Sequence, residues 1–479
     1  MKRTLTIISL FWVWVACQPG QPASETTSEN DNQLSPLKEY VDTPDSVFKY
    51  ELRNTIEGDG YTTYVLYMES QRWLTEKEVK DPLWWHWINI VVPDEVKSDI
   101  SLLMIGGGSR KKEMPFKPSG TAVEMALYTG TIVAELHNIP NQTTEFVGDN
   151  FGPRVEDELI AYGWSQFLKG GARKEDAKWL ARLPMTKASV RAMDAVSGFC
   201  SSTVKKEVNK YVVAGASKRG WTTWTTAVVD ERVVAIAPIV IDMLNLIPSF
   251  QHHWQVYGFW APAVDSYVNE GIMDWINTEE YKKLMAITEP YTFLEQLTLP
   301  KFIVNASGDQ FFLPDSWQFY WNDLRGETHL RYVPNADHGL DGSDAIQSIA
   351  AFYKGIVDGA KRPDIDWIEE EGVIRIDTYP EELPDSIILW QAYNPEARDF
   401  RVETLGKVWQ KEIIAKSAEG KYEISVEAPE KGFKAFFVEL KFPGSGDIPY
   451  TFSTGVVVTP DRLPFPPFEA EGEKPAVGE

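Results

Sequence analysis

A serine, an aspartate and a histidine stand in this chain at spacings that could support acyl transfer. Gly215-Ala216-Ser217-Lys218-Arg219-Gly220 follows the apolar run Tyr211-Val212-Val213-Ala214. Gly-x-Ser at the end of a short β-type run reads as a sharp strand-to-helix turn, which exposes the serine Oγ. Small neighbours suit such a turn, because a strained backbone leaves no room for a bulky Cβ. Downstream, Phe302-Ile303-Val304-Asn305 leads to Asp309, and Leu330-Arg331-Tyr332-Val333 leads to His338. Each of these two side chains thus lies a few residues beyond a predicted strand, where it can converge on Ser217. His338 would take the Ser217 proton and return it to the leaving group. Asp309 would accept the imidazole N–H and fix its tautomer. Asp242, which follows Pro238-Ile239-Val240-Ile241, is an alternative acid. The oxyanion donors would be the Lys218 N–H and one from Gly106-Gly107-Gly108, at Gly107 or Gly108.

Those residues need a scaffold that brings strand ends together. Strands are expected at 61–68, 84–92, 101–105 and 131–136, followed by helical stretches at 155–168 and 187–209. The series continues with strand 211–214, a helix from about 218, strands 233–241 and 301–305, a helix from about 314, strand 329–333 and helix 343–358. Such alternation predicts an α/β architecture, a mostly parallel sheet with helices on both faces. Serine, acid and histidine in that chain order match an α/β-hydrolase fold, here assigned to 45–364. An aromatic-rich insertion at about 246–298 would form a cap over the strand ends. Its Trp254, Tyr257 and Trp260, together with His137, are candidate substrate-lining residues. Short strands separated by turns over 365–462 suggest a C-terminal fibronectin/Ig-like β-sandwich. The Pro/Glu-rich tail 463–479 reads as disordered.

Composition narrows the partners. With 47 basic and 70 acidic residues the formal charge is −23, which repels phosphate backbones, so nucleic acid is not expected. Lys2 and Arg3 precede an apolar stretch to Ala16, then Cys17. This looks like a lipoprotein-type signal (1–17) with Cys17 as the lipid acceptor and 18–44 as a flexible tether. An ordinary secretory signal cut near Ala16 is the alternative. Either way the expected location is the bacterial cell envelope, lipid-anchored at the outer membrane or periplasmic. Cys200 is the one other cysteine; it reads as a packed apolar residue, and neither a cysteine-based metal site nor a cofactor is called for.

Longer motifs carry a family resemblance. Gly215 to Thr222, Pro238 to Asn245, Glu156 to Trp164, Leu389 to Pro395 with Ala397 to Arg401, and Ser70 to Trp73 together resemble the PhoPQ-activated pathogenicity-related proteins, over about 45–462. The resemblance implies an α/β-hydrolase fold with Ser217, Asp309 and His338 as its triad, and no particular substrate. The elbow departs from Gly-x-Ser-x-Gly, since Arg219 takes the second position after Ser217 and glycine comes third. A similar Gly-x-Ser-x-x-Gly occurs in glucuronoyl esterases. By that similarity the Lys218 side chain would assist the oxyanion or bind an acidic group; otherwise it is a solvated lysine. The expected activity is serine hydrolysis of a small-molecule, glycan-ester or peptide substrate. A non-catalytic envelope binding protein on the same fold is the alternative.

Overall fold

The computed structural model describes residues 35–470; the expected signal at 1–17, with Cys17, and residues 471–479 lie outside them. Nine strands make one sheet: β1 (Lys49–Gly58), β2 (Tyr61–Arg72), β3 (Leu83–Pro93), β4 (Ile100–Ile105), β5 (Val133–Leu136), β6 (Lys210–Ala216), β7 (Val233–Ile239), β8 (Lys301–Ala306) and β9 (Thr328–Val333). Their spatial order is β1-β2-β3-β5-β4-β6-β7-β8-β9. β1, β2, β3 and β5 pair antiparallel in turn, and from β5 to β9 every pairing is parallel. With β1 set aside, this is the order and sense of an α/β-hydrolase sheet.

The sequence pattern accounts for the two halves. In β6 Tyr211, Val212, Val213 and Ala214 are all buried, the continuous apolar run of a strand covered on both faces. In β2 the inward Leu66 and Met68 alternate with the less buried Tyr67 and Glu69. The helices are α1 (Pro36–Asp42), α2 (Gly120–Thr129), α3 (Glu156–Lys169), α4 (Arg182–Phe199), α5 (Lys218–Val229), α6 (Leu246–Tyr257), α7 (Asp265–Asn269), α8 (Glu279–Thr288) and α9 (Ala345–Val357). The insertion between β7 and β8 therefore holds α6, α7 and α8.

Several expectations are corrected. The tether does not reach residue 44: Ser35 caps α1 through its side chain, Pro36 opens it, and Leu37 and Val41 are buried. The stretch 187–209 is not one helix; α4 starts at Arg182, with Pro184 in a first turn that needs no N–H, and a turn follows at Cys200–Val204. In place of a helix from about 314 there are two short turns, Ser316–Phe319 and Trp321–Asp323, separated by the non-helical Tyr320 (φ −145°, ψ −20°).

After α9 come β10 (Ile365–Glu370), β11 (Val373–Thr378), β12 (Ser386–Asn394), β13 (Gln410–Ile413), β14 (Lys421–Ser425), β15 (Phe433–Phe442), β16 (Tyr450–Ser453) and β17 (Val457–Thr459). They form antiparallel sheets of three strands (β10-β11-β14) and five (β13-β12-β15-β16, with β17 on β15). Between β12 and β13 the chain passes Phe400 and forms the short helix Val402–Leu405. Ile374 and Ile424 of one sheet and Phe436 and Leu440 of the other share a core with Phe302 and Phe352 of the α/β layer. The tail is likewise corrected up to residue 470, because Phe465 N–H bonds to Gln255 O (2.9 Å) and Phe468 N–H to Gln251 Oε1 (2.9 Å) on α6.

Candidate active site

Ser217 sits between β6 and α5 with φ 59° and ψ −128°, a backbone region that a side chain other than glycine occupies only at a cost of about 1–3 kcal/mol. Neighbouring bonds hold it there: Ser217 N–H donates to Ile239 O (2.8 Å) and Trp221 N–H to Ser217 O (3.0 Å). The glycine spacing has a steric reason. A Cβ on Gly215 would lie 2.6 Å from Arg219 O, and one on Gly220 would lie 3.0 Å from Gly215 O. Gly220 thus packs back on Gly215, and the third position after Ser217 is the one that must stay bare.

The structure brings Asp309 and His338 together, with His338 Nδ1 2.7 Å from Asp309 Oδ2. Asp309 Oδ1 accepts from Phe311 N–H (2.7 Å), and His338 N–H donates to Gln310 Oε1 (3.1 Å), so both loops are tied to each other. The rings of Phe311 and Phe312 lie 4.4 and 5.9 Å from the imidazole. Those two phenylalanines and Ser217 line the same cavity. Among the described residues Ser217 Oγ has no hydrogen bond to His338; such bonds often tighten only around substrate.

Asp242 does not join this pair. Its carboxyl accepts from Tyr320 OH (2.6 Å) and from Tyr332 OH. Burial pushes its pKa up to about 8 in spite of both tyrosines, and both of its oxygens are taken by tyrosine hydroxyls rather than by His338.

Gly107 and Gly108 follow β4, and a Cβ on Gly107 would lie 2.7 Å from Arg219 Nη2, two residues after Ser217. Asn138 N–H holds Gly107 O (2.9 Å) and Gln142 Nε2 holds Gly108 O (2.7 Å), leaving both glycine N–H groups without an acceptor among the described residues. The Lys218 N–H, first in α5, has no intrahelical acceptor either.

The Lys218 side chain is neither solvated nor aimed at an oxyanion. It is buried, with Nζ 3.0 Å from both Glu156 Oε2 and Asp157 Oδ2. Arg219 Nη2 meets Glu156 Oε1 at 2.6 Å, and Gln142 Nε2 donates to the same oxygen (2.6 Å). Burial would raise the Glu156 pKa, but the Arg219 hydrogen bond and charge and the Lys218 charge hold it down at about 2. Glu156 also has a positive φ, 50°, so the network ties a second strained residue to the two positions that follow Ser217. Arg182 completes it, donating to Lys218 O (3.0 Å) and lying 4.4 Å from the Trp221 ring. Sequence reasoning missed these partners. Glu156-Asp157 before an apolar helical run reads as an ordinary acidic first turn, and nothing local links it to Lys218.

The remaining candidates lie elsewhere. His137 borders the glycine loop, 3.9 Å from where a Gly106 Cβ would be. Its Nε2 meets Asn89 Nδ2 (3.2 Å), and burial lowers its pKa. Trp254 and Trp260 pack on Phe468 (4.9 and 5.1 Å), and Tyr257 lies under Arg401 (4.8 Å), so these cap aromatics face the C-terminal region rather than Ser217. The cap reaches the cavity instead through Leu246, Phe250, Val264 and Tyr267. His252 and His253 diverge: His252 Nε2 meets Asp315 Oδ2 (3.0 Å), while His253 accepts from Ala261 N–H (3.1 Å) and burial lowers it to about 3. Cys200 is buried, its thiol pushed up to about 12.

The sequence pattern of the PhoPQ-activated pathogenicity-related proteins matches residues 37–401. The chain belongs to this family. It is also 39% identical over 459 residues to autocrine proliferation repressor protein A of Dictyostelium discoideum, covering 90% of this chain and 92% of that protein. Among solved structures, acetyl xylan esterase from Paenibacillus sp. R4 is similar at a TM-score of 0.46 and 12% identity, over 67% of this chain and 92% of that one. Acylaminoacyl peptidase of Pyrococcus horikoshii is similar at a TM-score of 0.40 and 12% identity, over 66% of this chain and 51% of that one.

Proposed function

We propose that this family member is an exported serine hydrolase that cleaves an ester or peptide bond without a cofactor. Ser217 Oγ attacks the acyl carbon while His338 Nε2 takes its proton. The tetrahedral oxyanion accepts from the Lys218 N–H and from Gly107 or Gly108, and collapse passes the proton to the leaving group. Water then repeats the sequence on acyl-Ser217. Asp309 orients and stabilises the imidazolium. The observations that carry this reading are the 2.7 Å Asp309–His338 pair and a serine held at φ 59°, linked by Phe311 and Phe312, which lie against the imidazole and line the Ser217 cavity. Export, with lipidation at Cys17 and an envelope location, rests on the pattern of residues 1–17; an Ig-like character for 365–462 rests on its two antiparallel sheets.

The test is turnover of p-nitrophenyl acetate by the purified mature chain. Ser217→Ala and His338→Ala should each lower kcat by at least ~10³-fold; unchanged turnover in both would remove the reading. One observation favours a second reading, a non-catalytic binding protein: the Dictyostelium relative is named as a proliferation repressor. That reading predicts no turnover by a well-folded wild type.

A further inference from the structure

The cavity beside Ser217 has an unusual combination of walls. Three charged side chains line it, Asp157, Arg182 and Lys218, yet each is turned into the ionic network or onto Trp221. The other walls are apolar surfaces, among them Trp164, Trp221, Leu246, Phe250, Val264 and the ring of Tyr267, whose OH is turned away to Asp157 Oδ1 (3.0 Å). All six are buried, Tyr267 being the most exposed at 9%. The walls come from the α/β layer and from the cap, and they are buried side chains, so the space beside Ser217 is narrow and largely enclosed. Its volume is about 40 Å³. One water needs roughly 10–15 Å³ on that scale, so the pocket holds about three or four heavy atoms.

Which side of the scissile bond occupies it follows from the reaction order. The leaving group must depart to solvent before water can enter. The acyl group stays bonded to Ser217 until deacylation. A closed pocket therefore suits the acyl side. We infer that the cavity is an acyl-binding pocket and that the substrates are esters of short aliphatic acids, with about two to four carbons in the acyl chain. This inference rests on the serine hydrolase reading. The packing that sets the limit is Phe250, whose ring is fixed edge-on against Trp260 at 5.8 Å, and Val264. A longer chain would have to displace them, and close-packed interiors resist such shifts.

The experiment is a series of p-nitrophenyl acetate, butyrate, hexanoate and octanoate with the full mature chain, beside Phe250→Ala and Val264→Ala. Wild-type kcat/KM should fall at least tenfold from butyrate to octanoate. Either enlarged variant that folds should raise the octanoate-to-butyrate ratio at least tenfold. In parallel, ethyl and octyl fluorophosphonates should label the wild type at rates differing in the same sense. Equal rates along the ester series, or preference for octanoate, would overturn the inference. Labelling by both probes without hydrolysis of any short ester would overturn it while leaving the serine hydrolase reading intact. No labelling and no hydrolysis would overturn both.

Discussion

Two carboxylates near the strand ends have been driven to opposite roles by their surroundings. Asp309 faces an imidazole and a backbone N–H, whereas Asp242 is enclosed by two tyrosines that keep it apart from His338. Sequence alone could order these two by strand position but could not see Tyr320 and Tyr332, which arrive from distant segments. Asp309→Asn should leave the fold intact and lower kcat by about 10⁴-fold through loss of tautomer control, read from steady-state turnover. Asp242→Asn should leave kcat within about twofold. Its stability should respond differently to pH. Native Asp242, with a pKa raised to about 8 by burial, keeps a proton that the unfolded chain releases above its ordinary range. The native state thus binds more protons between about pH 4 and 8, and stability falls as pH rises through that window. The wild-type Tm should drop from pH 5 to pH 8 more than that of Asp242→Asn. Parallel curves would contradict this.

At the scale of elements, the strain at Ser217 is held by α5 and by the ionic contacts that join it to the start of α3. The strand–turn–helix around Ser217 was readable because Gly215 and Gly220 mark backbone contacts local in sequence. The contacts of Lys218 with Glu156 and Asp157 were not, since they depend on how α3 is laid against α5. Lys218→Met should destabilise the protein by about 3 kcal/mol, the lower end for breaking a buried pair, measured by urea unfolding. Asp157→Asn added to it should cost less than the sum of the single changes, because the pair is already broken. Strict additivity would show that the Nζ contact with Asp157 does not stabilise the fold. The cap aromatics illustrate another limit: Trp254, Tyr257 and Trp260 were visible as a cluster, but what they cover is the tail at Phe468 and the Arg401 segment, which lie far off in sequence.

At the scale of the whole molecule, the C-terminal strands are built into the α/β layer. Phe452 of β16 stacks on His329 at 4.2 Å and meets Phe302 at 5.6 Å, and Trp317 Nε1 donates to Val456 O (2.8 Å). Arg398 reaches Asp315 Oδ2 at 2.8 Å, beside His252. Alternating hydrophobic runs were enough to predict most of these strands; their docking was not predictable, because it rests on single buried contacts. Removing residues 365–479 should expose Phe302 and Phe352 and give an aggregating chain without a cooperative melt. A soluble, cooperatively folding 18–364 fragment would show that the layers are independent. Arg398→Met should cost about 3–5 kcal/mol, because it leaves Asp315 buried with a weaker partner, again by urea unfolding.

The most direct test of the central claim is to treat the wild-type protein with a fluorophosphonate and locate the adduct by peptide mass spectrometry. A single adduct on Ser217, absent from folded Ser217→Ala and slowed at least 10²-fold in folded His338→Ala, is the predicted result. A folded wild type with no adduct, or an adduct that persists in Ser217→Ala, would contradict it.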